Sequence, residues 1–184
     1  MPRFRWLWTH INIVKHNDYE CDDVIGYLAD KFKVSNKVTI ISSDTDFIQC
    51  VEDNVQLYNP VRKKFIESPE YDYVLWKSLK GDASDNIDGF TGIGDKKAQK
   101  LCTNPEALEK FLLEEGRQDK LNKNLEMIRL HDLTNDVEGI LHYPKIHNEK
   151  WQELKDLFAS YDFNSMVGKE TSWKKYTDTF NQLF

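Results

Sequence analysis

Cysteine is scarce in this sequence, and its three copies, Cys21, Cys50 and Cys102, stand far apart. No CxxC pair occurs, which argues against a zinc knuckle and against a disulfide framework. A reducing, cytoplasmic setting is the expectation. Long apolar runs are missing too. The stretch Val38-Thr39-Ile40-Ile41 is among the longest, far short of the roughly 20 residues that span a bilayer. No membrane association is expected, and the aromatic stretch Arg3-Phe4-Arg5-Trp6-Leu7-Trp8 is too short in apolar residues for a signal peptide. There is no internal repeat, no low-complexity tract and no long linker. A surplus of positive charge is also absent: 25 basic residues face 31 acidic ones, a net charge of −6. Taken alone, that argues against a nucleic-acid binder, which is usually basic.

What is present is enough for a folded core. The chain has 184 residues, 40% of them hydrophobic and 12% aromatic, room for one domain of ordinary size or a core with a small appendage. The acids are unevenly placed. Glu20, Asp22, Asp23, Asp44, Asp46, Asp82 and Asp85 fall into three tight clusters. With these seven set aside, the remaining acids no longer outnumber the bases, so the net charge is a weak veto.

The coarse pattern is α/β in the first third and helical afterwards. Ile11–Val14 reads as a strand. Asp18 is a plausible N-cap for a helix over Tyr19–Phe32, with Val24, Ile25, Leu28 and Phe32 at helical spacing. Val38–Ser42 is a β-branched run, apolar on both faces, the habit of a buried parallel strand. A short helix over Asp46–Val51, a strand over Val55–Tyr58, a turn at Asn59-Pro60 and a hairpin arm over Arg62–Glu67 follow. Ser68-Pro69-Glu70 predicts a helix start, with Gly81 as its stop. Asn104-Pro105-Glu106 repeats the start signal, with Gly116 as the close. Further helices are expected over 118–133, 148–160 and 171–183. The strands are expected to form one parallel or mixed sheet. The division of domains falls at residue 67: a metal-binding α/β core over 1–67 and a helical domain over 68–184.

Each acidic cluster has two readings. Glu20-Cys21-Asp22-Asp23 sits where acids complement a helix dipole, although three acids in four residues repel one another. Asp44 and Asp46, in Ser42-Ser43-Asp44-Thr45-Asp46-Phe47, follow a strand at the rim where α/β sheets bind ligands. They are also ordinary loop and cap residues, or a phosphatase-like D-x-D pair lacking its companion motifs. Gly81-Asp82-Ala83-Ser84-Asp85-Asn86 is a turn composition, but it runs into Gly89-Phe90-Thr91-Gly92-Ile93-Gly94-Asp95-Lys96-Lys97-Ala98. A Gly-x-Gly hairpin before a helix presents backbone N–H groups to a phosphate, and Lys96, Lys97 and Lys100 add positive potential. This helix-hairpin-helix pattern grips a nucleic-acid backbone without reading bases.

The three blocks, in this order, resemble the 5′-nuclease (flap endonuclease) superfamily with its PIN-like core. The first block stands where that family has E-A-D-D. The resemblance runs from about Ile11 to Leu133, and the general layout looks most like the RNase H type of 5′–3′ exonuclease of T-even bacteriophages. It implies a phosphodiesterase in which Glu20, Asp22, Asp23, Asp44, Asp46, Asp82 and Asp85 hold two Mg²⁺ (or Mn²⁺) ions, with Asp23, Asp44 and Asp46 closest to catalysis. A metal pair about 4 Å apart activates water and stabilises the leaving 3′-oxygen. The resemblance further implies that Gly92, Ile93, Gly94, Lys96, Lys97 and Lys100 hold duplex DNA, with K⁺ at the hairpin. Implied partners are duplex or flap DNA, RNA–DNA primer ends, and single-stranded-DNA-binding or replication proteins.

Family members also carry an N-terminal half with two further Asp residues and a helical arch bearing Lys and Arg. Met1–His10 contains no acid, so the chain resembles the C-terminal two-thirds of such a protein. The expectation is therefore a nuclease portion that needs an N-terminal fragment and cleaves poorly alone. The alternatives are a non-catalytic accessory protein that binds branched DNA, and a partner-interaction protein anchored by Phe4, Trp6, Leu7 and Trp8.

Overall fold

The computed structural model describes residues 13–143 and 151–181. The leader with Phe4, Trp6, Leu7 and Trp8 lies outside them. Two compact units are present, one over 19–137 and one over 1–18 with 138–184. Residue 67, where the texture of the sequence turns helical, falls inside the first unit.

That unit begins with helix α1, Cys21–Lys33. Its N-cap is Glu20, two residues beyond the expected Asp18. Asp22 and Asp23 lie in the first turn and Lys31 and Lys33 in the last, both favourable to the helix dipole. Strand β2, Val38–Ile41, pairs in parallel with β3, Val55–Asn59, setting Ile40 against Leu57. Strand β4, Lys64–Ile66, returns antiparallel to β3. The return is made by Asn59, whose side-chain oxygen accepts the N–H groups of Val61 (3.0 Å) and Arg62 (2.8 Å), a turn that Asn is suited to close. Between β2 and β3, a 3₁₀ turn covers Asp46–Cys50.

Ala29, Ile40, Phe47, Val55 and Leu57 form the core under this sheet. Burial of side chains the size of Phe47 and Leu57 contributes about 1.5–3 kcal/mol each. The expectation of a strand buried on both faces is corrected here. Ile40 is buried, but Ile41 is 69% exposed and Thr39 is exposed as well. Strand β2 is an edge of the three-stranded sheet. β-Branched residues suit a pleated strand whether one face is covered or both, so composition alone misreads this strand.

Helix α2, Tyr73–Lys80, starts later than Ser68-Pro69-Glu70 suggests. Asp72 is the N-cap, accepting the Leu75 N–H at 2.9 Å. Gly81 ends it with φ +86°. Two-residue strands β5, Gly81–Asp82, and β6, Ile87–Asp88, then pair antiparallel. A Cβ on Gly81 would lie 2.3 Å from the Gly89 nitrogen, so backbone meets backbone there and glycine is required. Helices α3 (Asp95–Cys102), α4 (Pro105–Leu112) and α5 (Arg117–Ile128) complete the unit. Asn104 caps α4 as expected. Gly116 does not close α4. It is the left-handed N-cap of α5, and α5 stops five residues short of Leu133.

Leu79, Phe90, Ala98 and Leu121 form a second core. Buried Asn124 on α5 binds it to the site region, donating to the carbonyls of Ser78 and Asp88, both at 2.9 Å.

In the other unit, β1 is Ile13–His16 and pairs antiparallel with β7, Ile140–Tyr143. The expected strand over Ile11–Val14 is thus shifted, with Ile11 and Asn12 outside the described residues, and it joins β7 instead of β2 and β3. Helices α6 (Trp151–Ser160), α7 (Asn164–Val167) and α8 (Glu170–Asn181) pack Leu154, Trp173, Phe158 and Tyr176 together. The short α7 and strand β7 carry no signal in the sequence reading.

Candidate metal centre

The site is assembled from the loop after β2 and the turn after α2. Ser42 Oγ accepts the Asp44 N–H (3.1 Å), and Asp44 Oδ1 accepts the Asp46 N–H (2.9 Å). These local bonds turn the chain so that Asp46 opens the 3₁₀ turn. Phe47 anchors that turn in the core. Gln49 fixes it from the other side, donating to the Ile128 carbonyl (3.3 Å) and accepting the Leu130 N–H (3.1 Å). Asp82 follows Gly81. Its Oδ1 accepts the Ser84 N–H at 2.9 Å and also the Ser84 hydroxyl. Asn86, with φ +58°, completes the turn in a conformation Asn tolerates.

These elements bring Asp46, Asp82 and Asp85 together, each with a carboxylate oxygen within 4.8 Å of the others. Lys77 stands among them. Its residue is only 6% exposed. The ammonium pairs with Asp46 and Asp82 and lies 3.9 Å from Asp85. Burial pushes the Lys77 pKa down, but the hydrogen bonds to Asp46 and Asp82 outweigh it and raise the pKa above its ordinary value. For Asp82, burial pushes upward, while the bonds from Lys77 and Ser84 prevail and hold the carboxyl well below the usual carboxylate range. Asp85 moves up, through burial first and the adjacent Asp82 second.

Lys77 escaped the sequence reading. A signal existed: it sits three residues after Val74 on the buried stripe of α2, and lysine is almost never buried unless paired. A cavity of about 850 Å³ adjoins the cluster, lined by Thr45, Tyr73, Trp76, Lys77, Lys80 and Ser84 among others.

The other four acids are not in this group. Glu20 and Asp44 are exposed and Asp22 is half-buried. Asp23 is buried, and both of its oxygens accept backbone N–H groups: His131 at 2.8 Å and Glu20 at 3.3 Å. The donor set of three converging carboxylates fits a hard divalent cation, which favours oxygen ligands.

Beyond the cluster, Gly92 has φ +76° and Gly94 is the N-cap of α3. Ile93 closes the loop by donating its N–H to the Phe90 carbonyl (3.0 Å). Lys96, Lys97 and Lys100 are exposed. Their neighbour Asp95 pairs with Lys80 at 2.9 Å.

Residues 7–75 match the family model of the 5′-3′ exonuclease N-terminal resolvase-like domain. Among curated relatives, a DNA polymerase I of Caldicellulosiruptor bescii is 29% identical over 86% of this chain and 22% of its own length. A 5′-3′ exonuclease of Mycoplasmopsis pulmonis is 37% identical over 50% of this chain and 35% of its own. A 5′-3′ exonuclease of Aquifex aeolicus is 30% identical over 81% of this chain and 58% of its own. The chain thus spans less than two thirds of each of these relatives. The resolvase-like match lying over β2 and β3 and the recurrence of 5′-3′ exonucleases among its relatives support a place for this chain in the 5′-nuclease superfamily.

Proposed function

We propose that this chain is a portion of a structure-specific 5′–3′ exonuclease or flap endonuclease that hydrolyses phosphodiesters of DNA, or of RNA primers, by a two-metal mechanism. The observation that carries the reading is the convergence of Asp46 with Asp82 and Asp85 from two separate segments of the chain. Bound Mg²⁺ or Mn²⁺ would supply a Lewis acid and a more acidic water at the scissile phosphate. Asp46, Asp82 and Asp85 would hold the first ion, with Asp44, Glu20 and Asp22 the acids open to a second, and Asp23, whose oxygens both accept backbone N–H groups, bracing the helix start between them. The phosphate backbone of the duplex would lie on the hairpin that Ile93 closes, against the N–H groups at Gly92 and Gly94 and the ammonium groups of Lys96, Lys97 and Lys100, with K⁺ a candidate ion at the hairpin carbonyls. Water attacks phosphorus in line with the 3′-oxygen, which departs and takes a proton. Full activity would need the further polypeptide that its longer relatives possess. The test is cleavage of an end-labelled 5′-flap duplex in Mg²⁺, with and without a supplied N-terminal fragment of a relative. Asp82→Asn should abolish whatever cutting is seen, and cutting that survives Asp82→Asn or chelation would overturn the reading.

A second reading is favoured by Lys77. An ammonium already neutralising part of the cluster suits a protein that binds branched DNA without cutting it. Flap binding with no divalent-ion binding by the chain would select this one.

A further inference from the structure

We propose that the Lys77 ammonium is the resident counter-ion of the Asp46–Asp82–Asp85 cluster, and that a divalent cation binds there by displacing it. The proposal rests on the metal-binding reading above. Three carboxylates within 4.8 Å of one another repel strongly, and keeping all of them ionised together needs a cation among them. Lys77 meets that need from within the fold: it is anchored on α2 and buried, and it touches Asp46 and Asp82 directly. The same oxygens are those a divalent ion would take. An ion and an ammonium sharing them would stand a few ångströms apart with like charge, so one must leave.

The structure gives the ammonium somewhere to go. The cavity of about 850 Å³, bounded by Thr45, Tyr73, Trp76 and Ser84, opens beside Lys77. A four-carbon stem can swing into it with no movement of α2. Lys77 is in this sense a positioning residue: it keeps the acids assembled before the ion arrives and sets the concentration at which the ion wins.

The test uses the 184-residue chain, Mn²⁺ as the probe, and calorimetric titration of wild type and Lys77→Met. Removing one positive charge beside the ion should tighten Mn²⁺ binding about ten-fold or more, while the metal-free melting temperature falls. A lysine that only braces the fold would lower the melting temperature without tightening the ion. Equal or weaker Mn²⁺ binding by Lys77→Met, with wild type binding normally, overturns the displacement and leaves the metal reading standing. No Mn²⁺ binding by either protein overturns the metal reading and this proposal with it. Should Lys77→Met fail to fold, acetylation of wild type by an N-hydroxysuccinimide ester decides, read by peptide mass spectrometry with exposed Lys96 and Lys100 as references. Saturating Mn²⁺ should increase labelling of Lys77 several-fold. Unchanged or reduced labelling overturns the proposal.

Discussion

Asp23→Ala separates a bracing residue from a metal ligand. Asp23 is 5% exposed. One oxygen accepts the N–H of His131, 108 positions away, at 2.8 Å, and the other accepts the N–H of Glu20 at 3.3 Å. It therefore fastens the first turn of α1 to the segment that follows α5. Truncation removes a charge-assisted bond and leaves the His131 N–H without its acceptor, which costs about 1.5–3 kcal/mol. It also removes an acid from the helix start, for about 0.3–1 kcal/mol more. The expected loss is roughly 2–4 kcal/mol in total, read as a drop in the urea midpoint at unchanged slope. Asp23→Asn should fall between the two proteins, because an amide offers one acceptor oxygen where the carboxylate offers two. A loss below about 0.5 kcal/mol, accompanied by a large loss of Mn²⁺ affinity, would refute the bracing argument and make Asp23 a ligand first.

Gly81→Ala should destabilise by about 2 kcal/mol or more and disturb the β5–β6 turn, since φ is +86° and the new Cβ would strike the Gly89 backbone; a midpoint within experimental error of wild type would count against that backbone contact. The depressed pKa of Asp82 makes it a source of stability that is present above its unfolded value, near 3.8, and lost as pH falls through the folded value. Urea midpoints taken from pH 5 downward should therefore decline less steeply in Asp82→Asn than in wild type, with the raised Asp85 offsetting part of the difference. Replacing Lys96 and Lys97 together with Glu should weaken duplex binding for every sequence and flatten its dependence on salt, by a slope of about 1 per lost phosphate contact; unchanged filter-binding curves would make them solvated helix residues.

Much of the site's framework was legible because it is written in local chemistry. Asn104 before Pro105 announces α4, Asn59-Pro60 announces the turn into β4, and Gly81 announces the end of α2. The order of the three acidic blocks carried the family resemblance. What escaped depends on partners distant in sequence. Strand β7 exists through its pairing with β1, more than 120 positions away, and nothing in Ile140–Tyr143 alone demands it. Ile41 looks like a core residue until the fold leaves its face of the sheet, shared with exposed Thr39 and Gln56, uncovered by the described residues. The N-terminus of α2 was misplaced because Ser68-Pro69-Glu70 and Asp72 both satisfy start rules, and only the bond from the Leu75 N–H selects Asp72. Asp23 reads as one more acid in a cluster, and its role appears only when His131 is brought to it.

The seven acids divide by how they are held, and that division bears on mechanism. Asp23 is tied to backbone amides, a job that needs no ion. Asp46 and Asp82 are oriented by their own turns, through the Asp44 and Ser84 bonds, and are neutralised by Lys77. Glu20, Asp22 and Asp44 remain nearer solvent. On the proposed metal reading, the first ion site would therefore be preformed, and its affinity would be set by competition with an internal cation instead of by the ordering of loose side chains. Preformed geometry favours electrostatic catalysis, because the donors need no reorganisation when charge develops on the phosphate. An internal cation works against it by occupying the oxygens the ion needs. The two effects meet at Lys77, so the threshold concentration of divalent ion, more than the presence of the carboxylates, should decide whether this centre cuts DNA or only holds it.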